Sequence, residues 1–337
     1  MRTKILQLTT ENIALAAAEI QSGGLVAFAT ETVYGLGADA FNAAAVKKIF
    51  EVKGRPPDNP LIVHFADFEG VESAGYFDSR AFAVAKAFMP GPLTVVVKKR
   101  ECVPDIVTAG LSTVAIRIPA SPLVREFIKK CGVAIAAPSA NTSTRPSPTT
   151  ARHVLDDLCG KIKYVLDGGD CDVGLESTII DFSVTPARLL RAGGVALEEL
   201  EKLTGKIEVY NHGEGQPLSP GMKYRHYAPN ARVRIFEDLN GLKEGCAAVK
   251  DLKTLVLGVN LGAGLNDFLQ DGEFKNIEAV DFKDEINYAA GLYSRLREAD
   301  KQGCKIILAL LTNGQGIGRA VNNRLFKAAE EKGAIDR

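Results

Sequence analysis

The sequence predicts an α/β protein built on a mixed sheet, followed by a smaller α/β domain with a largely parallel sheet. Three observations carry this. Short apolar runs of strand length alternate with segments of helical spacing, a stretch rich in glycine and proline between residues 210 and 230 breaks the alternation, and a second, shorter alternation resumes beyond it. A chain of 337 residues with 46% hydrophobic content can bury a sizeable core, and its length suits about two domains on a prior of ~150 residues each.

Taking the elements in order, Ile13, Ala16, Ala17 and Ile20 recur at helical spacing, and Gly23-Gly24 should end that helix before the strand Leu25-Val26-Ala27-Phe28. Further strands are expected at 61–64, 93–97, 114–118, 133–137 and 177–181. The first domain is therefore set at 1–208. Residues 209–230, with Gly213, Gly215, Pro217, Pro220, Gly221 and Pro229, read as a linker. The second domain, 231–337, has strands expected at 232–236, 254–257 and 305–311, and helices near 286–298 and 319–330.

Charge narrows the partners. Lys plus Arg and Asp plus Glu both total 41, so no sequence-independent coat of nucleic acid or anionic membrane is expected, and any anion site must be local. Six scattered cysteines without a Cys-x-x-Cys pair suit reduced thiols, and four unclustered histidines supply no zinc motif. Gln7 and Glu11 interrupt the apolar stretch after Arg2 and Lys4 too early for a signal peptide, and no apolar run reaches the ~18 residues of a membrane span. A cytoplasmic protein is expected.

Several segments carry chemistry. In Lys53-Gly54-Arg55, read as extended chain, two cations two residues apart would point to one side and grip a polyanion together. Pro138-Ser139-Ala140-Asn141, directly after an apolar run, would bring hydroxyl and amide groups to a strand end. The turn Thr30-Glu31-Thr32-Val33-Tyr34-Gly35-Leu36-Gly37 reads either as a tight strand-to-helix connection or as a ligand loop presenting Thr32 and Tyr34. Arg117, on an otherwise apolar strand, needs a bound carboxylate or a structural partner such as Asp181 or Glu176. His64 ends a strand and suits a hydrogen-bonded neutral histidine better than a base. Asp167-Gly168-Gly169-Asp170 fits a turn better than a metal site. Near the end, Gly314-Gln315-Gly316-Ile317-Gly318-Arg319 follows a strand like a dinucleotide loop, but Arg319 stands where the third glycine is required. The chain has no Walker-type loop, so the Lys53 and Arg55 segment is the expected triphosphate device.

Taken in order, the Thr30 to Leu36 turn, Lys53-Gly54-Arg55-Pro56, Asn59-Pro60-Leu61-Ile62-Val63-His64, Pro90-Gly91-Pro92-Leu93-Thr94 and Pro138-Ser139-Ala140-Asn141 resemble the YrdC-type family of L-threonylcarbamoyladenylate synthases. The likeness continues through Ser147-Pro148-Thr149-Thr150-Ala151, Glu176-Ser177-Thr178 and the linker segment Ser219-Pro220-Gly221-Met222-Lys223-Tyr224, as in the long two-domain form. Beyond the linker it is looser, resting on length and residues 316–329. The resemblance implies a twisted open mixed sheet around a deep cationic cavity, with a small Rossmann-like second domain. It implies synthesis of L-threonylcarbamoyladenylate and pyrophosphate from ATP, L-threonine and bicarbonate, for a later transferase that modifies adenosine beside the tRNA anticodon.

Carried over residue by residue, the resemblance assigns Arg55, Asn59, Thr113, Ser139, Ser147 and Arg191 to ATP, with Lys53 and Asn141 added from the same signature. Thr32, His64, Arg117, Ala137 and Ser177 fall to threonine. Mg²⁺ is expected with ATP, and no zinc, nicotinamide or flavin. Ala29, Ser121, Thr144 and Ala192 depart from the common pattern, which has proline, histidine, glycine and proline at the matching positions. These departures bear on loop rigidity more than on charge.

The chemistry agrees. Bringing a threonine carbamate to the α-phosphorus joins two anions, so neutralisation by cations and Mg²⁺ should dominate, with Lys53 and Arg55 as catalytic residues. Carbamates lose CO₂ readily, so solvent exclusion and positioning should outweigh any general base or covalent nucleophile. The linker with Tyr224, His226 and Tyr227 reads as a lid placing an aromatic ring, Tyr224, at the nucleotide, or as a plain tether. A weak tRNA contact and hand-off to the downstream transferase complete the expected partners. Two other readings remain at this point: a structured-RNA binder without catalysis, and a carbamoyl-adenylate enzyme with a different amine.

Overall fold

A computed structural model describes residues 2–210, 217–221, 227–270 and 273–329. The chain divides into two compact units, one of Met1–Ser143 with Ser147–Tyr224, the other of Thr144–Pro146 with Arg225–Arg337.

Local rules account for the helices that frame the first unit. Helix Thr10–Gln21 is capped by Thr9, whose hydroxyl accepts from the Asn12 amide, and it buries Ile13, Ala16, Ala17 and Ile20, the spacing predicted. Helix Pro122–Cys131 starts on a Ser121 cap with proline in its first turn. Helix Ala43–Lys53 is capped by Asn42 and ends at Gly54, whose φ of 61° is the left-handed conformation that glycine adopts without a Cβ penalty. This corrects one expectation: Lys53 is the last helical residue, so Lys53-Gly54-Arg55 is a helix terminus and not an extended segment. A glycine C-cap after the apolar positions Ala45, Val46, Ile49 and Phe50 outweighs the local look of the tripeptide.

The sheet of the first unit is mixed. Its strands lie in the order Lys4–Gln7, Tyr164–Asp167, Val26–Phe28, Gly35–Asp39, Ile135–Ala137, Ile62–His64, Thr113–Arg117, Leu93–Lys99, Thr178–Asp181, Arg188–Arg191 and Glu208–Val209, with Gly75–Tyr76 pairing beside Leu93–Lys99. The expected central strands are present. The 30–37 turn is corrected: it joins two antiparallel strands, with Val26 opposite Gly37 and Phe28 opposite Gly35, and leads into no helix. Gly37 must be glycine there, since a Cβ would lie 2.6 Å from the Ile135 Cγ2 and 2.8 Å from the Phe28 ring. Its poor strand propensity hid the strand from a sequence reading. The short strands at 4–7, 164–167 and 188–191 were likewise not expected.

Period-two alternation divides the residues between two faces. Val63, Val95, Ile116, Ala136 and Ile180 enter the large core under one face. On the other, Val26, Phe28, Ile135 and Ala137 pack with the helices Thr10–Gln21 and Pro122–Cys131, while Ile62, Val96, Ala115, Ile179 and Leu190 form a small separate cluster with Tyr210 and Leu218.

The second unit has four strands among its described residues, in the order Arg232–Phe236, Ile306–Leu310, Thr254–Val259, Ile277–Phe282, every pairing parallel, with helices Leu239–Ala248, Gly262–Leu269, Glu285–Gln302 and Gly318–Ala329. Strand Ile277–Phe282, not expected, is an edge whose residues are all at least partly exposed, which is why its apolar signal is weak. Thr144 takes φ 78°, the left-handed region that a β-branched residue adopts at a cost, at a position where the resemblance favours glycine. Among the described residues no helix is long and apolar enough to cross a membrane.

Candidate active site

On the face opposite the large core, the strand ends carry polar residues where the apolar alternation should continue. His64 is aligned with Arg117 and Thr94 with Ile179, two residues beyond Ser177, across parallel strands, and Ile62 with Ala137 across antiparallel ones. Thr32, His64, Thr94, Arg117 and Ser177 are all buried. Buried polar groups must be hydrogen-bonded, and their partners define the site.

Arg117 is 4% exposed and spends three of its five N–H donors within the protein. One terminal nitrogen donates to the Thr32 hydroxyl at 2.8 Å, the other to the Glu31 carboxylate at 2.6 Å, and Nε donates to the Gly91 carbonyl at 3.2 Å. The structural partner is thus Glu31; Glu176 instead accepts from the Ser147 hydroxyl at 2.6 Å, and Asp181 accepts from the Ser183 amide and hydroxyl. Glu31 was missed as a site residue although it stands inside the singled-out turn. Its pairing spans 86 positions in sequence, which no local pattern reports. Thr32 completes a small chain, its hydroxyl lying 2.8 Å from that of Thr30, which donates to the Val33 carbonyl.

His64 is 4% exposed, with Nδ1 3.1 Å from the Ile62 carbonyl and the ring edge-on to Phe28. Burial first, and the Arg117 charge second, push its pKa down to about 3, so the ring is neutral at physiological pH. A neutral imidazole of such low basicity contributes shape and a hydrogen bond in place of proton abstraction. Ser177 and Thr94 share a hydroxyl–hydroxyl contact of 2.7 Å, and Arg191 donates to the Ser177 carbonyl at 3.0 and 3.1 Å and to its hydroxyl at 3.1 Å. The remaining Arg191 arm reaches the Pro220 carbonyl at 3.3 Å, while Leu218 packs on the apolar cluster of the same face.

The 138–141 loop is bound to the 30–37 hairpin: the Leu36 amide donates to the Pro138 carbonyl and the Ala140 amide to the Tyr34 carbonyl. Lys53 clamps this loop from the helix terminus, its ammonium donating to the Ser139 carbonyl at 2.6 Å and to that of Asn141. Ser139 in turn donates to the Asn141 side chain. Arg55 turns back onto the Asn59 and Pro60 carbonyls at 3.3 and 2.9 Å. Asn59 is 1% exposed, and its side-chain oxygen has no hydrogen-bond partner among the described residues, an acceptor open to a donor. Thr113 lies on the same sheet face as Ala115 and Arg117. Tyr224 and His226 lie outside the described residues.

Other features contribute less. A cavity of about 270 Å³ lined in part by Glu31, Asp170 and Asp172 is acidic, the wrong sign for a phosphate chain. Burial pushes the Cys131 thiol up to about 12 and raises that of Cys171 as well, so neither is a ready nucleophile. Among the described residues no three His, Cys, Asp or Glu gather as a metal site.

Comparison with known proteins identifies the family. The family model described as telomere recombination, Sua5/YciO/YrdC, matches residues 18–193, and the model for a threonylcarbamoyl-AMP synthase C-terminal domain matches 195–330. The chain is 46% identical to the threonylcarbamoyl-AMP synthase of Pyrococcus abyssi over 94% of each chain. It is 42% identical to that of Bacillus subtilis over 97% of this chain and 95% of the relative. The crystal structure of P. abyssi Sua5 complexed with L-threonine superposes with a TM-score of 0.89 at 42% identity, covering 97% of this chain and 98% of the other.

Proposed function

The chain belongs to the Sua5/YrdC family in its two-domain form, and on that footing we propose that it makes threonylcarbamoyl-AMP from L-threonine, bicarbonate and ATP. Its product is the activated intermediate for threonylcarbamoyladenosine modification of tRNA beside the anticodon. One observation carries the reading: a sheet face and its adjoining turns that bury Thr32, His64, Thr94, Arg117 and Ser177, in a chain so similar to a protein solved with L-threonine.

Threonine is assigned to Thr32, His64, Arg117, Ala137 and Ser177, and ATP to Lys53, Arg55, Asn59, Thr113, Ser139, Asn141, Ser147, Arg191 and Tyr224. The threonine amine and bicarbonate condense to a carbamate with loss of water. A carbamate oxygen then bonds to the α-phosphorus while the bond to the bridging oxygen breaks, and pyrophosphate leaves with that electron pair. Lys53 and Arg55 act electrostatically. Lys53 additionally holds the carbonyls of the Ser139–Asn141 loop, so that loop amides and hydroxyls are preset for the triphosphate. Mg²⁺ bound with ATP would supply further neutralisation of phosphate charge, and the scheme calls for no zinc, nicotinamide or flavin. The orphan oxygen of Asn59 suits a hydroxyl or amine of the nucleoside.

The finer architecture belongs to the same proposal. Residues 1–208 form the catalytic domain with a deep cationic cavity, 209–230 a lid, and 231–337 a Rossmann-like domain. The seating of Leu218 and Pro220 on the site face supports the lid. The protein works in the cytoplasm, hands its product to a threonylcarbamoyl transferase and contacts tRNA weakly.

The test is mass spectrometry of the product formed from ATP, bicarbonate and threonine, with serine and no amino acid as controls. Threonylcarbamoyl-AMP formed only with threonine is expected. ATP left intact, with steeply salt-dependent RNA binding, would replace this reading with that of an RNA-binding protein.

A further inference from the structure

We infer that Glu31 is a positioning residue for substrate selection, holding the Arg117 guanidinium so that two of its N–H groups face the amino-acid carboxylate. The inference rests on the threonine assignment above. Arg117 has five donors, and the three it uses within the protein are one on each terminal nitrogen and the one on Nε. One N–H therefore remains on each terminal nitrogen, and a carboxylate can accept from both terminal nitrogens at once.

Glu31 fixes which pair remains. One of its oxygens accepts from Arg117 at 2.6 Å and the other from the Ala120 amide at 3.1 Å, so the carboxylate is anchored at both ends. The ion pair is buried on both sides, with Arg117 4% and Glu31 10% exposed. Rotation of the guanidinium would break the Glu31, Thr32 and Gly91 contacts together. The pair is also net neutral, so a substrate carboxylate is recognised by the direction of its hydrogen bonds more than by bulk charge, which favours an oriented amino acid over an arbitrary anion.

A Gln at this position tests the idea sharply. Both Glu31 oxygens accept, and an amide offers one acceptor and one donor, so Glu31→Gln must set an N–H against either Arg117 or Ala120. Threonine affinity measured by calorimetry should fall by about tenfold or more, the scale of a lost charge-assisted hydrogen bond, with ATP affinity within about twofold of the unaltered protein. Glu31→Asp, too short to reach both partners, is read in the same way and serves if Glu31→Gln does not fold. A purely structural role would weaken both ligands alike, or neither. A folded variant that binds threonine as the unaltered protein does, or that loses ATP to the same degree, overturns the inference. The proposed function is read separately: an unaltered protein that binds threonine but forms no threonylcarbamoyl-AMP refutes the reaction and leaves the Glu31 comparison intact. An unaltered protein that binds no threonine refutes both.

Discussion

The two faces of the first unit's sheet are made from the same strands and differ only in alternate residues. In Ile62-Val63-His64, Val63 enters the large core while Ile62 and His64 face the site; in Val114-Ala115-Ile116-Arg117-Ile118, residues 114, 116 and 118 enter the core while Ala115 and Arg117 face the site. The core face is held by apolar area and tolerates only changes of similar shape. The site face holds buried polar groups, each dependent on a named partner often far away in sequence. Stability and recognition are thus separated by a single residue along each strand, and substitutions at neighbouring positions should fail in different ways.

Arg117→Ala should have the largest effect. It strands the Glu31 carboxylate, costing about 3–5 kcal/mol of stability, as when one partner of a buried ion pair is removed. It should also lower threonine-dependent pyrophosphate release by about 100-fold or more, read by denaturant unfolding and a pyrophosphate assay. Its neighbour Ile116→Ala should cost about 2–4 kcal/mol through the cavity left in the core, with the threonine KM unchanged. Equal loss of threonine affinity in both would dissolve the distinction between the faces. Lys53→Met keeps the buried stem and removes the ammonium that clamps the Ser139 and Asn141 carbonyls. Destabilisation of about 1–3 kcal/mol is expected, with ATP affinity falling more than threonine affinity by calorimetry.

The smallest effect is a pH dependence. The folded pKa of His64 is depressed to about 3 from an ordinary 6.5, so between those values the unfolded chain binds the proton that the native protein refuses. This contribution to stability is complete above pH 6.5 and is lost as pH falls toward 3, at a slope of up to about 1.4 kcal/mol per pH unit. His64→Gln should flatten that part of the unfolding profile between pH 7 and 5. An unchanged slope would mean that the imidazole is not buried in its neutral form.

Much of the site was legible because strand alternation is short-ranged. A lone arginine among Val114, Ala115, Ile116 and Ile118 is conspicuous in any reading, and so is a histidine closing Leu61-Ile62-Val63. The resemblance gathered these segments under one activity, and the family and its function agree with it. Less legible was anything decided by chain reversal or long-range pairing. Lys53 looked like half of an extended phosphate grip until the Gly54 cap made it a helix end. The Thr30 to Gly37 turn looked like the approach to a helix, because glycines that make room for Phe28 and Ile135 carry no strand signal of their own.

By itself the sequence determined the α/β class, the strands with alternating burial and the polar residues out of place on apolar strands. These depend on near neighbours along the chain, where sterics and side-chain period act directly. Only the tertiary structure decided that Arg117 answers to Glu31 and that Lys53 answers to two carbonyls of a distant loop. Each of those outcomes is a competition among buried groups for a small number of partners, and the winner is set by which strands lie side by side.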